Sequence, residues 1–405
     1  MLRTAEDVTR TMGEMKGAVM KVGQVLSLMA GVLPEEMAGQ LATLQSNAPP
    51  MSFELVRQVF EQEFGQQPET LFRKFQKEPF AAASIGQVHR AELRDGTPVA
   101  VKVQYPGVRE AIDHDLANVG MMIKLGGLMA RGLDAGTIVK DLESGIRAEL
   151  DYRREAAWQE KFAKAFSGHS FVRVPYVIPE MSSERILVQE YLRGKPFSAA
   201  LGLPQSERDR IGEMIYRFCF GSLYRHGLFN GDPHPGNYLL LDDGAIGFVD
   251  YGCVAEFDQQ TLDAFMRLIR ALNAGDLEGW RTATEAVGIL LPDAPFTTEE
   301  LYEHMHWYWA PILGERVRFT RELAAEMVRH NTMTTGIGGQ INRYCNVPAG
   351  MVFLTRINFG MAGLFAGLEA AGPWRAIVKE YVDGEPPSTE LGRLSAATTS
   401  TGEPI

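Results

Sequence analysis

The chain has 405 residues, enough to bury a large core and to fold as a two-lobed body with an added segment. Its 40 basic and 51 acidic residues give a formal charge of −11, which argues against a nucleic-acid binder and offers no attraction to an anionic membrane. Three widely spaced cysteines, Cys219, Cys253 and Cys345, fit neither a disulfide framework nor a zinc site and point to a reducing, cytoplasmic setting.

Met1 to Thr11 is polar and carries no secretory signal. From Val8 the apolar positions Val8, Met12, Met15, Val19, Val22, Leu26 and Met29 alternate steps of four and three, which predicts one long amphipathic helix ending near Pro34. Beside this stripe runs the row Gly13, Gly17, Lys21, Gln24. Its glycines permit close approach of another backbone, although an ordinary surface Lys and Gln would give the same spacing. Further helix is expected over Glu35–Gln45, over Phe53–Phe64 with Ser52 as N-cap, and over Pro68–Phe75. Residues 1–78 therefore read as a helical extension.

The character changes at Pro79. Phe80 to Ser84 and Gln87 to Leu93 lead into Asp95-Gly96, a hairpin signal, and then into the β-branched run Thr97 to Gln104. Lys102 lies inside that run, an unusual place for a lysine unless its head group meets an anionic partner. A strand lysine about 20 residues after a small-residue loop is the arrangement with which kinases hold nucleotide phosphates. Helices are expected from Gly107 to Phe166. Within them Glu149 and Glu155 fall on widely separated faces, so that one is suited to Lys102 and the other to the N-terminal helix, unless the stretch is a solvated charged face with Asp151 and Glu155 near arginines.

Arg185 to Tyr191 reads as a buried strand running into a Gly194-Lys195-Pro196 turn, where an interlobe hinge would sit; Glu190 and Tyr191 end that strand. An apolar-faced helix, Asp209 to Arg225, then delivers the chain to Phe229–Gly252. In this stretch Asp232 and Asn237 precede the strand Tyr238–Leu241, the turn Asp242-Asp243-Gly244 and the strand Ala245–Val249, which ends in Asp250-Tyr251-Gly252. A hairpin returns Asp250 towards Asn237 and Asp232, and two carboxylates with an amide at loop ends form a hard-oxygen site suited to Mg²⁺ and the phosphates it carries. The order is also that of kinase catalytic and metal loops. After Gly252 helical spacing resumes almost at once, with Leu262, Phe265, Leu268, Ile269 and Leu272, leaving no room for a peptide-docking segment or its Ala-Pro-Glu motif.

The remainder to about Tyr381 is expected to be helical. His304 and His306 lie at i and i+2 on different helix faces, so with Trp307, Tyr308 and Trp309 they read as core or interface residues. Val347–Ala371 is interrupted by Arg356, Asn358 and Glu369 and reads as a buried helix, not a membrane span. The tail 383–405, rich in Ser, Thr, Pro and Gly, is expected to be disordered.

Taken together, these residues resemble the UbiB/AarF (ADCK-type) family of atypical protein-kinase-like proteins. Lys21-Val22-Gly23-Gln24 is similar to that family's KxGQ signature, and Ala81-Ala82-Ala83-Ser84 to the alanine-rich loop that replaces a glycine-rich one. Glu149-Leu150-Asp151 resembles its ExD motif, and Asp232-Pro233-His234-Pro235-Gly236-Asn237 its catalytic loop. The resemblance covers about residues 5–380.

It implies an α+β, protein-kinase-like two-lobed fold: a small β-rich N-lobe over 79–195 with a helical insert, a helical C-lobe over 196–382, and the extension packed over the active site. It further implies ATP or ADP and Mg²⁺ as cofactors. Lys102 would pair with Glu155, Asn237 and Asp250 would hold the metal, and Asp232 would orient the attacking oxygen. Ala81, Ala82, Ala83, Ser84, Lys102, Glu190 and Tyr191 would line the nucleotide site. Lys21, Gln24, Glu149 and Asp151 would act as regulatory residues over the cleft.

The function so implied is Mg²⁺-dependent ATP binding and hydrolysis in support of isoprenoid-lipid or quinone (ubiquinone-like) metabolism at a membrane surface. Partners would be a membrane lipid or quinone intermediate and lipid-biosynthesis enzymes. A protein or small-molecule kinase gated by the N-terminal helix, and a non-catalytic nucleotide-binding scaffold, are the alternatives. Two positions depart from the family pattern: Gly231 stands where alanine is frequent, and Tyr251 replaces the Phe of Asp-Phe-Gly.

Overall fold

The computed structural model describes residues 50–83, 85–110, 150–333, 335–346 and 351–399. The helices expected before residue 50, the Gly13/Gly17 row and Lys21, Gln24, Ser84 and Glu149 lie outside them. The chain divides into two compact units. The described part of the first holds residues 50–110, 150–160 and 175–191, and that of the second holds 161–174 and the residues from 192 onward.

In the first unit, helix α1 (Phe53–Phe64) starts at Ser52, which has extended backbone but makes no side-chain cap bond. Only one helical turn follows, Pro68–Leu71, before strand β1 (Lys74–Phe75). The helix expected over 68–75 therefore stops early. Phe72 is extended, and the Arg73 N–H donates to the Glu92 carbonyl at 2.8 Å. The ladder wins here because it lets Phe72 and Phe75 pack edge-on against Phe60, at ring separations of 6.1 and 5.7 Å.

Strands β2 (Ala81–Ala83), β3 (Gly86–Glu92) and β4 (Pro98–Gln104) follow, with the Asp95-Gly96 turn closing the expected β3–β4 hairpin in register from Gly86↔Gln104 to Glu92↔Pro98. Helix α2 (Tyr152–Ala165) comes next, followed in the chain by strand β5 (Val172–Arg173) of the second unit; β6 (Ile186–Glu190), the expected buried strand, completes the first unit's sheet order β1-β3-β4-β6 with β2 beside β3. Its central strand β4 is buried from Val99 to Gln104. Val56, Val59 and Phe60 of α1 join Val99, Val101, Val103 and Val188 in one apolar core. Residues 53–75 are thus part of the sheet unit's own core, and the boundary expected at 78 does not separate them from it.

In the second unit, Gly194–Pro196 is not a turn but strand β7, paired with strand β9 (Tyr238–Leu241). Helix α3 (Gln205–His226) ends at Gly227, whose φ of +65° favours glycine and where an added Cβ would meet the Phe257 carbonyl at 2.7 Å. Strand β8 (Leu228–Asn230) leads into the loop before β9, and β10 (Ile246–Phe248) forms the expected hairpin with β9. The sheet order is β5-β10-β9-β7. Strand β11 (Val254–Glu256) returns along β8 and leads directly to helix α4 (Gln259–Ala274), which buries Leu262, Phe265, Leu268, Ile269 and Leu272. A peptide-docking segment has no place between them.

Further helices complete this unit, among them α5 (Leu277–Val287), α6 (Thr298–Trp309), α7 (Arg321–Thr332), α8 (Gly336–Asn342), α9 (Met351–Leu368) and α10 (Trp374–Val382). Tyr216, Phe319, Phe365 and Trp374 interlock in their core, with Trp374 4.8 Å from Tyr216 and 5.6 Å from Phe365. Among the described residues no helix is long and apolar enough to cross a membrane. His304 Nε2 lies 2.8 Å from Asn342 Oδ1, and no group of three or more His, Cys, Asp or Glu among the described residues could hold a metal ion.

The tail departs from expectation. Helix α11 (Glu390–Thr399) falls within the stretch read as disordered. It buries Leu391 and Ser395, and Ser395 Oγ lies 3.0 Å from His169 Nε2. Composition alone missed it because two buried contacts and an arginine bond to Thr389 outweigh the polar surroundings.

Candidate active site

Strand β4 carries Lys102 between Val88 of β3 and Leu187 of β6, in the middle of a sheet covered on both faces. A charged head group there requires a partner, and Glu155 of α2 supplies it: Nζ lies 2.5 Å from Oε1, with both residues only 4% exposed. Helix α2 is fixed at its start by Asp151, whose Oδ1 accepts from the Arg153 N–H at 3.0 Å, and by the Tyr152 N–H, which donates to the Glu184 carbonyl at 2.9 Å. Of the acidic pair Glu149 and Asp151, the described member is therefore the cap of the helix that carries Glu155.

The alanine-rich stretch is a strand. Ala81, Ala82 and Ala83 pair with Val88, Gln87 and Gly86, leaving Ala81 and Ala82 exposed and Ala83 half-buried. At the end of β6 the Glu190 N–H donates to the Tyr176 carbonyl at 2.8 Å and the Tyr191 N–H to the Pro98 carbonyl at 3.2 Å. These amides are committed inside the unit, so any nucleotide contact from 190 and 191 falls to their other groups. Burial raises the Glu190 carboxyl above the ordinary range, opposed by the Tyr176 N–H. Arg90 stacks 4.5 Å over the Tyr191 ring, and Phe80 meets its edge at 5.7 Å.

In the second unit the loop from Gly231 to Asn237 folds on itself. Asn237 Nδ2 donates to the Asp232 carbonyl at 3.1 Å and to Asp232 Oδ2 at 3.0 Å. With its N–H groups turned to Asp232, Asn237 presents Oδ1 on the other side. The β9–β10 register places Phe248 opposite Tyr238, and the Val249 N–H donates to the Asn237 carbonyl at 3.1 Å. Asp250, one residue further, therefore emerges beside the Asp232–Asn237 loop. Its Oδ1 accepts from the Gly252 N–H at 3.0 Å, and the Tyr251 ring is buried 5.0 Å from Phe162. Helix α9 backs the loop at Gly360, where an added Cβ would come within 2.3 Å of Pro233 Cγ.

The structure thus brings Lys102 to Glu155 in one unit, and Asp232, Asn237 and Asp250 to neighbouring loop ends in the other. The Asn237 amide oxygen and the Asp250 carboxylate are hard oxygen donors, chemically suited to Mg²⁺, which takes one or two protein oxygens and completes its shell with water and phosphate. Asn230 was not singled out by spacing. It is buried at the end of β8; its Nδ2 donates to the Asp250 carbonyl at 2.8 Å, and its Oδ1 accepts from the Asp232 N–H at 3.3 Å. One side chain so ties the two loops together.

Residues 43–283 match the ABC1 atypical kinase-like domain. The chain belongs to the ABC1 atypical kinase-like family. Among its curated relatives are the mitochondrial atypical kinase coq-8 of Caenorhabditis elegans, 32% identical over 71% of this chain and 39% of that protein, and the mitochondrial atypical kinase COQ8B of Rattus norvegicus, 32% identical over 67% and 52%. The atypical kinase COQ8 of Saccharomyces cerevisiae is 31% identical over 70% of this chain and 57% of its own length. The ABC1 chain described here therefore spans from about two fifths to under three fifths of these relatives. A solved chain from Mycobacterium tuberculosis, described as the complex structure of Rv3197–erythromycin, matches with a TM-score of 0.67 at 32% identity, covering 94% of this chain and 96% of that one. The kinase-like fold expected from the motifs is confirmed.

Proposed function

We propose that this ABC1 protein is a Mg²⁺-dependent, ATP-binding atypical kinase or ATPase that supports isoprenoid-lipid or quinone (ubiquinone-like) metabolism. The observation that carries the reading is the Asn237 bond to Asp232 beside the Asp250 turn, because it joins a proton acceptor and two hard-oxygen donors at adjoining loop ends. In this reading Lys102, held by Glu155, binds nucleotide phosphates. Asp232 takes the proton of the attacking oxygen, from water or the hydroxyl of a small polar head group, as the γ-phosphoryl group leaves ADP. Asn237 keeps the Asp232 carboxylate oriented through Nδ2. Mg²⁺ bound through Asn237 and Asp250 would neutralise phosphate charge.

The test is a coupled phosphate-release assay with and without vesicles carrying a lipid with a quinone-like head group. Wild-type protein is expected to turn over Mg·ATP faster with the vesicles, and Asp232→Asn to lose about a hundredfold or more. Nucleotide that raises the Tm while Asp232→Asn leaves turnover unchanged would instead make the protein a nucleotide-binding scaffold.

A further inference from the structure

Lys102 has a second neighbour besides Glu155. Its Nζ lies 5.3 Å from the centroid of the Tyr152 ring, within range of attraction between a cation and an aromatic face. Tyr152 precedes Glu155 by three residues on α2, so the two side chains share one helix face. The ring is 2% exposed, and its backbone is pinned by the bond from its N–H to the Glu184 carbonyl and by the Asp151 cap.

Both contacts act on one charge. A lysine head group sits on a flexible four-carbon stem and carries three rotatable donors. A single carboxylate contact fixes the distance of Nζ from Glu155 Oε1 more firmly than its direction. A ring face against the same ammonium adds a directional contact, and a buried ring does so in water-poor surroundings where such attraction is strongest. Because the first turn of α2 fixes Tyr152 and Glu155 together, they act as a rigid two-point mount.

We propose that Tyr152 is a positioning residue for nucleotide binding: its ring face, with Glu155, sets the direction of the Lys102 ammonium. The proposal rests on the reading of Lys102 as the phosphate-binding lysine, and it goes beyond that reading by assigning a role to a residue outside the recognised motif positions. A tyrosine that merely filled the core would leave the lysine indifferent to ring chemistry.

The experiment has two readouts. The first is NMR of protein labelled with ¹³C at lysine Cε, the Lys102 signal being assigned by its loss in Lys102→Arg. Its Hε resonance is expected upfield of the other lysines, shifted by the ring, in the wild type and in Tyr152→Phe but not in Tyr152→Leu. The second is calorimetric titration with Mg·ATP. Tyr152→Leu is expected to weaken binding roughly tenfold, about 1.4 kcal/mol, and the ring-preserving Tyr152→Phe to restore most of it.

An unshifted Lys102 signal in the wild type overturns the proposal without any variant, and so remains decisive should Tyr152→Leu fail to fold. Mg·ATP affinity unchanged in folded Tyr152→Leu, even with a lowered Tm, overturns it by reducing Tyr152 to a packing residue. Wild-type protein that shows the shifted signal but does not bind Mg·ATP defeats the nucleotide reading itself, and the role proposed for Tyr152 falls with it.

Discussion

At Asn230 a single amide spans the Asp250 carbonyl and the Asp232 N–H, so the relative position of the two loops that carry the proposed site carboxylates depends on a residue outside the motifs. Losing it would leave buried polar groups short of partners, a cost of about 1–3 kcal/mol that falls on loop geometry. Asn230→Ala is expected to lower the rate of phosphate release by roughly tenfold to a hundredfold at saturating Mg·ATP while the protein stays folded. A rate equal to wild type would remove Asn230 from the site. That Asp232, Asn237 and Asp250 come to neighbouring loop ends was legible because side-chain chemistry at a fixed spacing around a hairpin declares itself. Asn230 and Tyr152 were not, since what each does depends on a partner brought near by folding. Lys102 and Glu155 stand between these cases: a lysine in an apolar strand demanded an anion, and only the packing of α2 decides which carboxylate meets it.

At the scale of elements, the departures share one cause. Gly194–Pro196 reads locally as a turn, but β9 offers it a ladder; Phe72 to Phe75 reads as helix, but β3 and the Phe60 ring capture it. Helix α11 is the largest case, a polar stretch ordered by what it meets on the second unit. The Arg217 guanidinium, buried in α3, binds Glu213, Glu380 and Thr389 Oγ1, and His169 meets Ser395. Burial first, then the charges of Arg225, Arg173 and Arg217, push the His169 pKa down to about 4. The folded state thus keeps this imidazole neutral where the unfolded chain, with a pKa near 6.5, takes up a proton. Stability from this group is complete above about pH 6.5 and falls as the pH drops towards 4, by at most about 3 kcal/mol. Urea unfolding between pH 7 and 4.5 is expected to show a steeper loss in wild type than in His169→Gln. Parallel curves would contradict the assignment.

At the scale of the whole molecule, kinase-like architecture was the most legible feature, because an ordered series of motifs constrains a fold far more than any single motif. Domain limits were less so: α1 and β1 look like part of a helical leader in sequence, yet their apolar residues are spent inside the sheet unit's core. The same core makes Lys102 a poor first target for mutation. Removing one partner of a buried ion pair leaves an uncompensated charge and costs about 3–5 kcal/mol, so a lost activity would be confounded with lost folding. Asp250 is half-buried, at a loop end, and Asp250→Asn keeps its size and shape. The central claim, that this ABC1 protein holds a magnesium–nucleotide through Asn237 and Asp250, is tested most directly by calorimetric titration of ATP into wild type and Asp250→Asn, each with Mg²⁺ and with EDTA. The expected result is wild-type binding that depends on Mg²⁺ and is weakened about tenfold or more in Asp250→Asn. Equal affinity in all four titrations, or no binding in any, would contradict it.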